Sequence, residues 1–230
     1  MNDADKHIGL LVFDWDGTLV DSVAYIAQSM RTAAGEQDLP IPTVDAVREI
    51  VGLGLTEAVQ RLFPQLSEAA NKALSVRYST VFKRDKDEPC QLFDGVRSSL
   101  EELRDVGFQL AVATGKSRKG LRRAMQELQM GDLFVASRCA DETRSKPDPL
   151  MLLELLEELA FAPAHTLMVG DTLHDLNMAT NAGVTSIAVD YGAHPRVRLL
   201  AAAPLACVSR FSDIKIHINK YFKKIIQFEL

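Results

Sequence analysis

Two aspartates follow the first apolar run of the sequence and are separated by one residue. Asp14 and Asp16 lie in the segment 14–18, whose letters are DWDGT. Side chains at positions i and i+2 of an extended chain point the same way, so these carboxylates can converge. They would repel each other unless a cation lies between them or one holds a proton. Asp and Gly also form ordinary turns, but the pattern after an apolar strand favours a functional site.

A second acidic pair, Asp171 and Asp175, lies in the segment 170–175, whose letters are GDTLHD. A spacing of four places both side chains on one face of an opening helical turn. Helix capping would explain either aspartate alone. Two acids in tandem at a strand end exceed what a cap needs, and hard cations prefer carboxylate ligands. The pair therefore predicts a metal site.

Two further features complete the candidate set. Thr114 and Gly115 end another apolar run and offer a hydroxyl group and an exposed amide. Lys146 stands just before a helical pattern, and Pro147 favours an extended backbone at that lysine. Taken alone, the first pair fits an ordinary turn and the lysine fits a solvated surface residue. Their interest depends on whether the fold brings them to the aspartates.

Five short apolar runs predict the parallel sheet that would position these residues. Each run is continuous rather than alternating, as expected when helices cover both faces of a sheet; the runs are Gly9–Phe13, Phe108–Ala113, Leu133–Ala136, Thr166–Val169 and Thr185–Val189. Helical patterns separate the later runs, at Gly95–Val106, Ser117–Gln129, Pro149–Ala160 and Asp175–Ala182. Ser117 and Asp148 are expected to cap two of these helices. The alternation predicts an α/β fold with a doubly wound parallel sheet, Rossmann-like in plan.

The strand order decides whether the candidate residues meet. With the first strand in the centre, the expected order is 3-2-1-4-5, and the chain reverses direction between strands one and four. Ligands bind at the carboxyl ends of the strands at such a switch point. We therefore expect Asp14, Asp16, Thr114 and Asp171 to lie together there.

One connection is too long for a simple crossover. The first strand ends at Phe13 and the second begins at Phe108, whereas a crossover needs about a dozen residues. The intervening stretch predicts four helices, near Ser22–Ala34, Thr43–Val51, Leu55–Phe63 and Ser67–Lys83. We interpret residues 21–90 as an inserted all-helical cap domain on a catalytic core of residues 1–20 and 91–230. Its expected hinges are Val20–Ser22 and Glu88–Phe93. A final amphipathic helix is predicted over Phe211–Phe228, after a short edge strand at Leu205–Val208.

Composition limits the class of protein. The 230 residues carry 26 Lys and Arg against 31 Asp and Glu, a net charge of −5. This balance argues against nucleic acid as a partner. No segment approaches the roughly 18 apolar residues of a membrane span, so we expect no membrane association. The three cysteines lie far apart and form no metal-binding pair, which favours a cytoplasmic setting.

These residues resemble the four motifs of the haloacid-dehalogenase-like (HAD) phosphohydrolases, in the right order along the chain. The motifs are the segments 14–22 (DWDGTLVDS), 113–115 (ATG), 146–149 (KPDP) and 170–175 (GDTLHD). The helical insert resembles the subgroup whose cap follows the first motif. Within the superfamily, the sequence is most similar to the phosphoglycolate-phosphatase-like branch.

The resemblance implies a mechanism. Asp14 would attack phosphorus and form an aspartyl-phosphate, and Asp16 would protonate the leaving group and then accept a proton from water. Mg²⁺ would be held by Asp14, the backbone carbonyl of Asp16, and Asp171, with help from Asp175. The substrate phosphate would be bound by Thr114, the amide of Gly115, and Lys146.

The resemblance also suggests a small phosphorylated metabolite as substrate. The best single candidate is 2-phosphoglycolate, and the cap loop 52–55 (GLGL) resembles the specificity loop of that branch. Inorganic pyrophosphate, a sugar phosphate and a phosphoglucomutase reaction stay open on the same machinery. So does a regulatory binding protein on the same fold. Dehalogenation is disfavoured because the related dehalogenases lack the aspartate at position 16.

We expect a monomer or a homodimer.

Overall fold

A computed structural model of the chain describes residues 8–84 and 90–228. Six parallel strands form one sheet in the order β3-β2-β1-β4-β5-β6. The strands are β1 (Gly9–Phe13), β2 (Phe108–Thr114), β3 (Ala136–Cys139), β4 (Thr166–Gly170), β5 (Thr185–Val189) and β6 (Ala206–Val208). The α/β class and the predicted order of the first five strands are confirmed. The sixth strand extends that order at the β5 edge, where a short edge strand was expected.

Helices cover both faces of the sheet, which explains why β1 is apolar at every position. Leu11 and Phe13 pack on one side and Leu10 and Val12 pack on the other, in each case against helices that follow the insert. The helices that follow the insert are α5 (Val96–Asp105), α6 (Arg118–Glu127), α7 (Leu150–Leu159), α8 (Leu173–Asn181), α9 (Arg196–Ala201) and α10 (Ile214–Phe228). A doubly wound sheet is the result. No helix in residues 8–84 and 90–228 has the length and apolarity needed to cross a membrane.

The third strand lies later in the sequence than predicted. The apolar run from Leu133 ends a short 3₁₀ turn and packs into the core, and strand pairing runs from Ala136 to Cys139. Among the described strands β3 pairs with β2 alone, so it is an edge strand that accommodates polar residues. Arg138, for example, forms ion pairs with two glutamates of α7. Apolar character alone therefore placed this strand about three residues too early.

Three helix starts show how local chemistry sets the boundaries. Ser117 caps α6 as predicted, because its Oγ accepts a hydrogen bond from the Gly120 amide at 3.2 Å. Asp148 accepts from the Leu150 amide at 3.0 Å, although α7 begins one residue later than expected. α8 begins at Leu173, two residues earlier than predicted, because Thr172 caps it.

Four of the helices between β1 and β2 precede α5 and surround an apolar cluster of their own. They are α1 (Val23–Gly35), α2 (Val44–Arg48), α3 (Leu55–Leu62) and α4 (Glu68–Arg84). α2 is shorter than predicted because the chain turns after it, toward Gly52 at φ +90°. This four-helix unit is called the cap below.

The two connections between the cap and the sheet run side by side. Val20 forms an antiparallel bridge with Leu92, and the Asp21 amide donates to the Gln91 carbonyl at 2.9 Å. Part of the second expected hinge, residues 88 and 89, lies outside the described residues. The division into a cap of residues 21–90 and a core of residues 1–20 and 91–230 stays a prediction.

Candidate active site

Three aspartates meet at the carboxyl end of the sheet. Asp14 directly follows β1, Asp171 directly follows β4, and Asp175 lies in the first turn of α8. Each side chain is completely buried, and one carboxylate oxygen from each lies within 4.8 Å of the others. Because β1 and β4 are neighbouring parallel strands, their ends deliver these groups to one point. The sequence motifs therefore converge as expected for these three residues.

Lys146 joins this cluster from the loop before α7. Its Nζ lies 2.5 Å from Asp14 Oδ1 and 2.6 Å from Asp175 Oδ1, and the side chain is completely buried. Burial by itself would lower the pKa of Lys146, but attraction to Asp14 and Asp175 outweighs it and raises the pKa. The lysine is thus a buried cation and not a solvated surface residue.

The negative charge of the cluster exceeds what one lysine can offset. Burial raises the pKa of Asp14 well above its usual range, with Lys146 opposing and the other two aspartates adding to the rise. Burial likewise raises the pKa of Asp171 to about 7, and the charge of Asp175 adds to it. Burial and mutual repulsion disfavour the ionised forms of these aspartates. An additional cation bound here would stabilise those ionised forms.

The orientation of Asp171 is fixed by donors around it. Its Oδ1 accepts a hydrogen bond from Thr18 Oγ1 at 3.0 Å, and its Oδ2 accepts from the Ala193 amide at 2.7 Å. A methyl group at Gly17 would lie 2.2 Å from Asp171 Oδ2, and the backbone there has φ +80°. Glycine is therefore required at position 17 for both conformation and space.

The donor set fits a hard divalent cation. Asp14 Oδ2 is buried without a hydrogen-bond partner among the described residues, while Oδ1 is held by Lys146. Asp175 is more fully engaged, because its Oδ2 accepts from the amide and the hydroxyl of Thr172 as part of the α8 cap. Buried carboxylate oxygens with a free lone pair are the ligands that Mg²⁺ prefers.

The side chain of Asp16 lies outside this triad. Its Oδ1 accepts a hydrogen bond from Ser22 Oγ at 2.6 Å, and its Oδ2 lies 2.9 Å from Lys116 Nζ. The two carboxylates of the first motif therefore have different partners. Only the backbone carbonyl of Asp16 is expected to contact the metal that Asp14 would bind. The two contacts are new, since nothing in the local sequence pattern places Lys116 or Ser22 against the Asp16 carboxylate.

Thr114 is the last residue of β2, beside β1, and Gly115 follows it. Thr114 is almost completely buried, and its Oγ1 accepts a hydrogen bond from the Lys116 amide at 3.2 Å. A methyl group at Gly115 would lie 2.4 Å from the Leu53 carbonyl oxygen and 2.6 Å from that of Gly52. The cap loop is therefore seated directly on the end of β2.

Other contacts hold the cap in that position. The Gly54 amide donates to Ser145 Oγ at 2.8 Å, and His174 Nε2 lies 2.9 Å from the Glu49 carbonyl oxygen. The Glu49 carboxylate also pairs with Arg198. These contacts come from both sides of the loop 49–54, so the structure shows the cap closed over the sheet.

A cleft of about 990 Å³ lies between the cap and the core. Its core wall includes Asp16, Gly115 and Lys116, and its cap wall includes apolar and aromatic side chains such as Tyr78 and Phe82. The basic cluster at the start of α6 also lines it; the sequence pattern favours a solvated helix face for this cluster, with steering of an anionic substrate as the alternative, and its members are Lys116, Arg118, Lys119, Arg122 and Arg123. A phosphorylated compound would enter a cleft whose rim is positively charged.

Comparisons with known proteins agree with this geometry. The sequence model of the haloacid dehalogenase-like hydrolases matches residues 11–189. "Probable phosphatase IndB" of Dickeya dadantii is 34% identical over 209 residues, which are 89% of this chain and 91% of that protein. "Phosphoglycolate phosphatase" of Vibrio vulnificus is 30% identical over 207 residues, 86% of this chain and 91% of that protein. The crystal structure of a predicted phosphoglycolate phosphatase from Haemophilus somnus superimposes with a TM-score of 0.80 at 26% identity, over 90% of this chain and 96% of that one.

Proposed function

Since the chain belongs to the haloacid dehalogenase-like hydrolase family, we propose that it is a Mg²⁺-dependent phosphatase that hydrolyses a small phosphate monoester through a phosphorylated Asp14. One observation carries the proposal: Asp14, Asp171 and Asp175 are buried together around a single lysine. Such an excess of buried carboxylate is costly for stability alone, and it suits a site that binds a cation and an anionic substrate.

Asp14 is the proposed nucleophile because of how its two oxygens are used. Lys146 holds Oδ1, which fixes the plane of the carboxylate, and Oδ2 has no partner among the described residues. Oδ2 would form the bond to phosphorus while the ester oxygen leaves with the electron pair of the broken bond. Water would then attack the same phosphorus and release phosphate and the free carboxylate.

The proposed metal ligands are Asp14, Asp171 and the backbone carbonyl of Asp16. Asp175 was expected to help hold the metal, and its contacts favour a supporting role, in which it holds Lys146 and caps α8. When bound, Mg²⁺ offsets the repulsion between the carboxylate and the phosphate and withdraws charge from the transferring group.

The remaining residues bind the phosphate and move the protons. Asp16 lines the cleft and is the proposed acid for the leaving group and base for the attacking water. Thr114, the amide of Gly115, and Lys146 are the proposed donors to the phosphoryl oxygens. Thr114 and Gly115 lie at the end of β2, which pairs with the strand that precedes Asp14. Lys146 contacts Asp14 directly.

We propose 2-phosphoglycolate as the first substrate to test, since a relative named phosphoglycolate phosphatase matches 86% of this chain. A sugar phosphate is the second candidate because the cleft of about 990 Å³ is larger than a two-carbon acid requires. Pyrophosphate and a phosphoglucomutase reaction stay open on the same residues. The wide spacing of the cysteines favours a cytoplasmic location for the protein. The oligomeric state, a monomer or a homodimer, stays a prediction.

The test is phosphate release from a panel of esters, with Mg²⁺ or with a chelator. The panel contains 2-phosphoglycolate, hexose phosphates, pyrophosphate and p-nitrophenyl phosphate, and the Asp14→Asn variant serves as the blank. We expect Mg²⁺-dependent release from at least one ester and none from the variant. No release from any compound by folded, Mg²⁺-loaded protein would favour a binding protein on this fold.

A further inference from the structure

Both carboxylate oxygens of Asp16 are held by side chains, and both donors are linked to the cap. Ser22 donates to Oδ1 at 2.6 Å, and Lys116 Nζ lies 2.9 Å from Oδ2. The side chains of Lys116 and Asp16 are only 15% and 11% exposed. A sheltered pair of this kind is screened less by salt than a surface ion pair, so its geometry is better defined.

Lys116 also touches the cap. Its Nζ lies 5.3 Å from the centre of the Phe82 ring, within the range of a cation–π interaction. Phe82 belongs to α4, and the ring is packed against Tyr25 and Tyr78 with centroid distances of 4.8 and 5.7 Å. One ammonium group therefore contacts Asp16 in the core and an aromatic cluster in the cap.

The second donor to Asp16 lies in the connection through which the chain passes from the sheet into the cap. Ser22 immediately precedes α1, in the connection where Val20 is bridged to Leu92. Movement of the cap about this connection would displace Ser22 Oγ and would separate Phe82 from Lys116. The two groups that orient Asp16 would then be disturbed together.

The backbone of Lys116 is fixed independently of the cap. Its amide donates to Thr114 Oγ1 at 3.2 Å, and its carbonyl accepts from the Ala140 amide at 3.1 Å. The core thus holds the backbone of Lys116, and its side chain is the part that contacts Phe82 of the cap. Lys119 lines the same cleft but is exposed on α6, so it provides a matched control.

From these contacts we propose that Lys116 is a positioning residue: it holds the carboxyl group of Asp16 at the cleft for proton transfer, and it does so best when Phe82 of the closed cap lies against it. This inference rests on the proposed role of Asp16 as the acid that protonates the leaving group. An alkyl leaving group needs that proton, whereas p-nitrophenolate leaves readily without it.

The experiment compares kcat/KM for 2-phosphoglycolate, or the best alkyl phosphate of the panel, with kcat/KM for p-nitrophenyl phosphate. The variants are Lys116→Met, Lys116→Arg, Phe82→Leu, the benchmark Asp16→Asn and the control Lys119→Met. General acid catalysis contributes about 10²–10⁴-fold, so misplacing the acid should cost about 10- to 100-fold with the alkyl ester. We expect Lys116→Met to lose this much with the alkyl ester and less than about threefold with the aryl ester, because only the first needs the proton.

The other variants sharpen the result. Lys116→Arg, which can still bind the carboxylate, should recover part of the alkyl activity, and Lys119→Met should leave the ratio of the two substrates unchanged. Phe82→Leu should shift the ratio in the same direction as Lys116→Met, by a smaller factor. An unchanged ratio in Phe82→Leu would overturn the coupling to the cap.

Equal losses on both substrates in Lys116→Met would overturn the positioning role and make Lys116 a general attractor of phosphate. Asp16→Asn separates this failure from failure of the proposed function. If Asp16→Asn changes the ratio and Lys116→Met does not, the further inference is wrong while the acid role stands. If neither changes it, the acid role itself is wrong.

Discussion

Lys146 Nζ lies 2.5 Å from Asp14 Oδ1 in a completely buried contact, and the same ammonium group lies 2.6 Å from Asp175. The lysine therefore links the proposed nucleophile to the first turn of α8. It is also the cation that partly offsets three buried carboxylates, so it serves both the stability and the proposed chemistry of the site.

Replacing this lysine should affect stability and activity together. Lys146→Met leaves three buried carboxylates without their cation, and breaking a buried pair in this way costs about 3–5 kcal/mol. We expect a lower free energy of unfolding in metal-free protein and at least about a hundredfold lower kcat, since a donor to the transferring phosphate is also lost. Urea titration and steady-state kinetics measure the two effects.

The stability loss should be partly recovered by Mg²⁺, because the variant has more uncompensated negative charge near the proposed metal. Lys72→Met, at an exposed position of the cap, is the control and should match the wild type. Unchanged stability of metal-free Lys146→Met would contradict the view that this cation offsets the carboxylates.

Stabilisation by Mg²⁺ should increase with pH. Burial raises the pKa of Asp171 to about 7, whereas an unfolded aspartate has a pKa of about 3.9. The folded state therefore binds this proton more tightly, and in a chelator the Asp171 contribution to the free energy of unfolding falls as the pH rises through this range. The raised pKa of Asp14 acts in the same direction.

Bound Mg²⁺ favours the ionised carboxylates and should reduce this fall. Thermal unfolding at pH 5 and at pH 8, with and without Mg²⁺, measures the difference. We expect a larger Mg²⁺-dependent rise in Tm at pH 8. An equal rise at both pH values would argue against metal binding by these buried groups.

A methyl group at Gly115 should interfere with closure of the cap. It would lie 2.4 Å from the Leu53 carbonyl oxygen, so the loop would have to move away from the end of β2. Gly115→Ala should therefore lower kcat/KM by at least about tenfold while the sheet stays folded, because misplacing groups at an active site is costly. Gly131→Ala is the matched control, since no atom of the described residues lies within 4 Å of a methyl group there.

Kinetics and thermal unfolding of the two glycine variants separate closure from folding. The expected pattern is a small change in Tm for both and an activity loss for Gly115→Ala alone. Wild-type kcat/KM in Gly115→Ala would show that the seated loop is dispensable for turnover.

Much of this site could be predicted because its residues follow strands directly. The apolar runs before Asp14 and Asp171 identify buried parallel strands, and parallel strands end at one edge of a sheet. Their convergence follows from topology alone. The same reasoning failed for β3, where an edge strand tolerates polar residues and the apolar run belongs to the turn before it.

Contacts that depend on the cap could not be predicted in this way. Lys116 looks like one member of a solvated basic helix face in the sequence, yet it is held between Asp16 and Phe82. Those partners lie 100 and 34 positions before it, and nothing in the local pattern brings them together. Similarly, the spacing of Asp171 and Asp175 suggests two equal metal ligands. In the structure the carboxylate of Asp175 is instead bound by Thr172, at the start of α8, and by Lys146.

The most direct test of the central claim is to look for a phosphoryl group on Asp14. Protein mixed with p-nitrophenyl phosphate and Mg²⁺ would be quenched in acid within the first turnover and digested for mass spectrometry. The account predicts a peptide carrying one phosphoryl group at Asp14 in the wild type and none in Asp14→Asn, which should also release no phosphate. Phosphate release by Asp14→Asn at the wild-type rate, or turnover with the label on another residue, would contradict it.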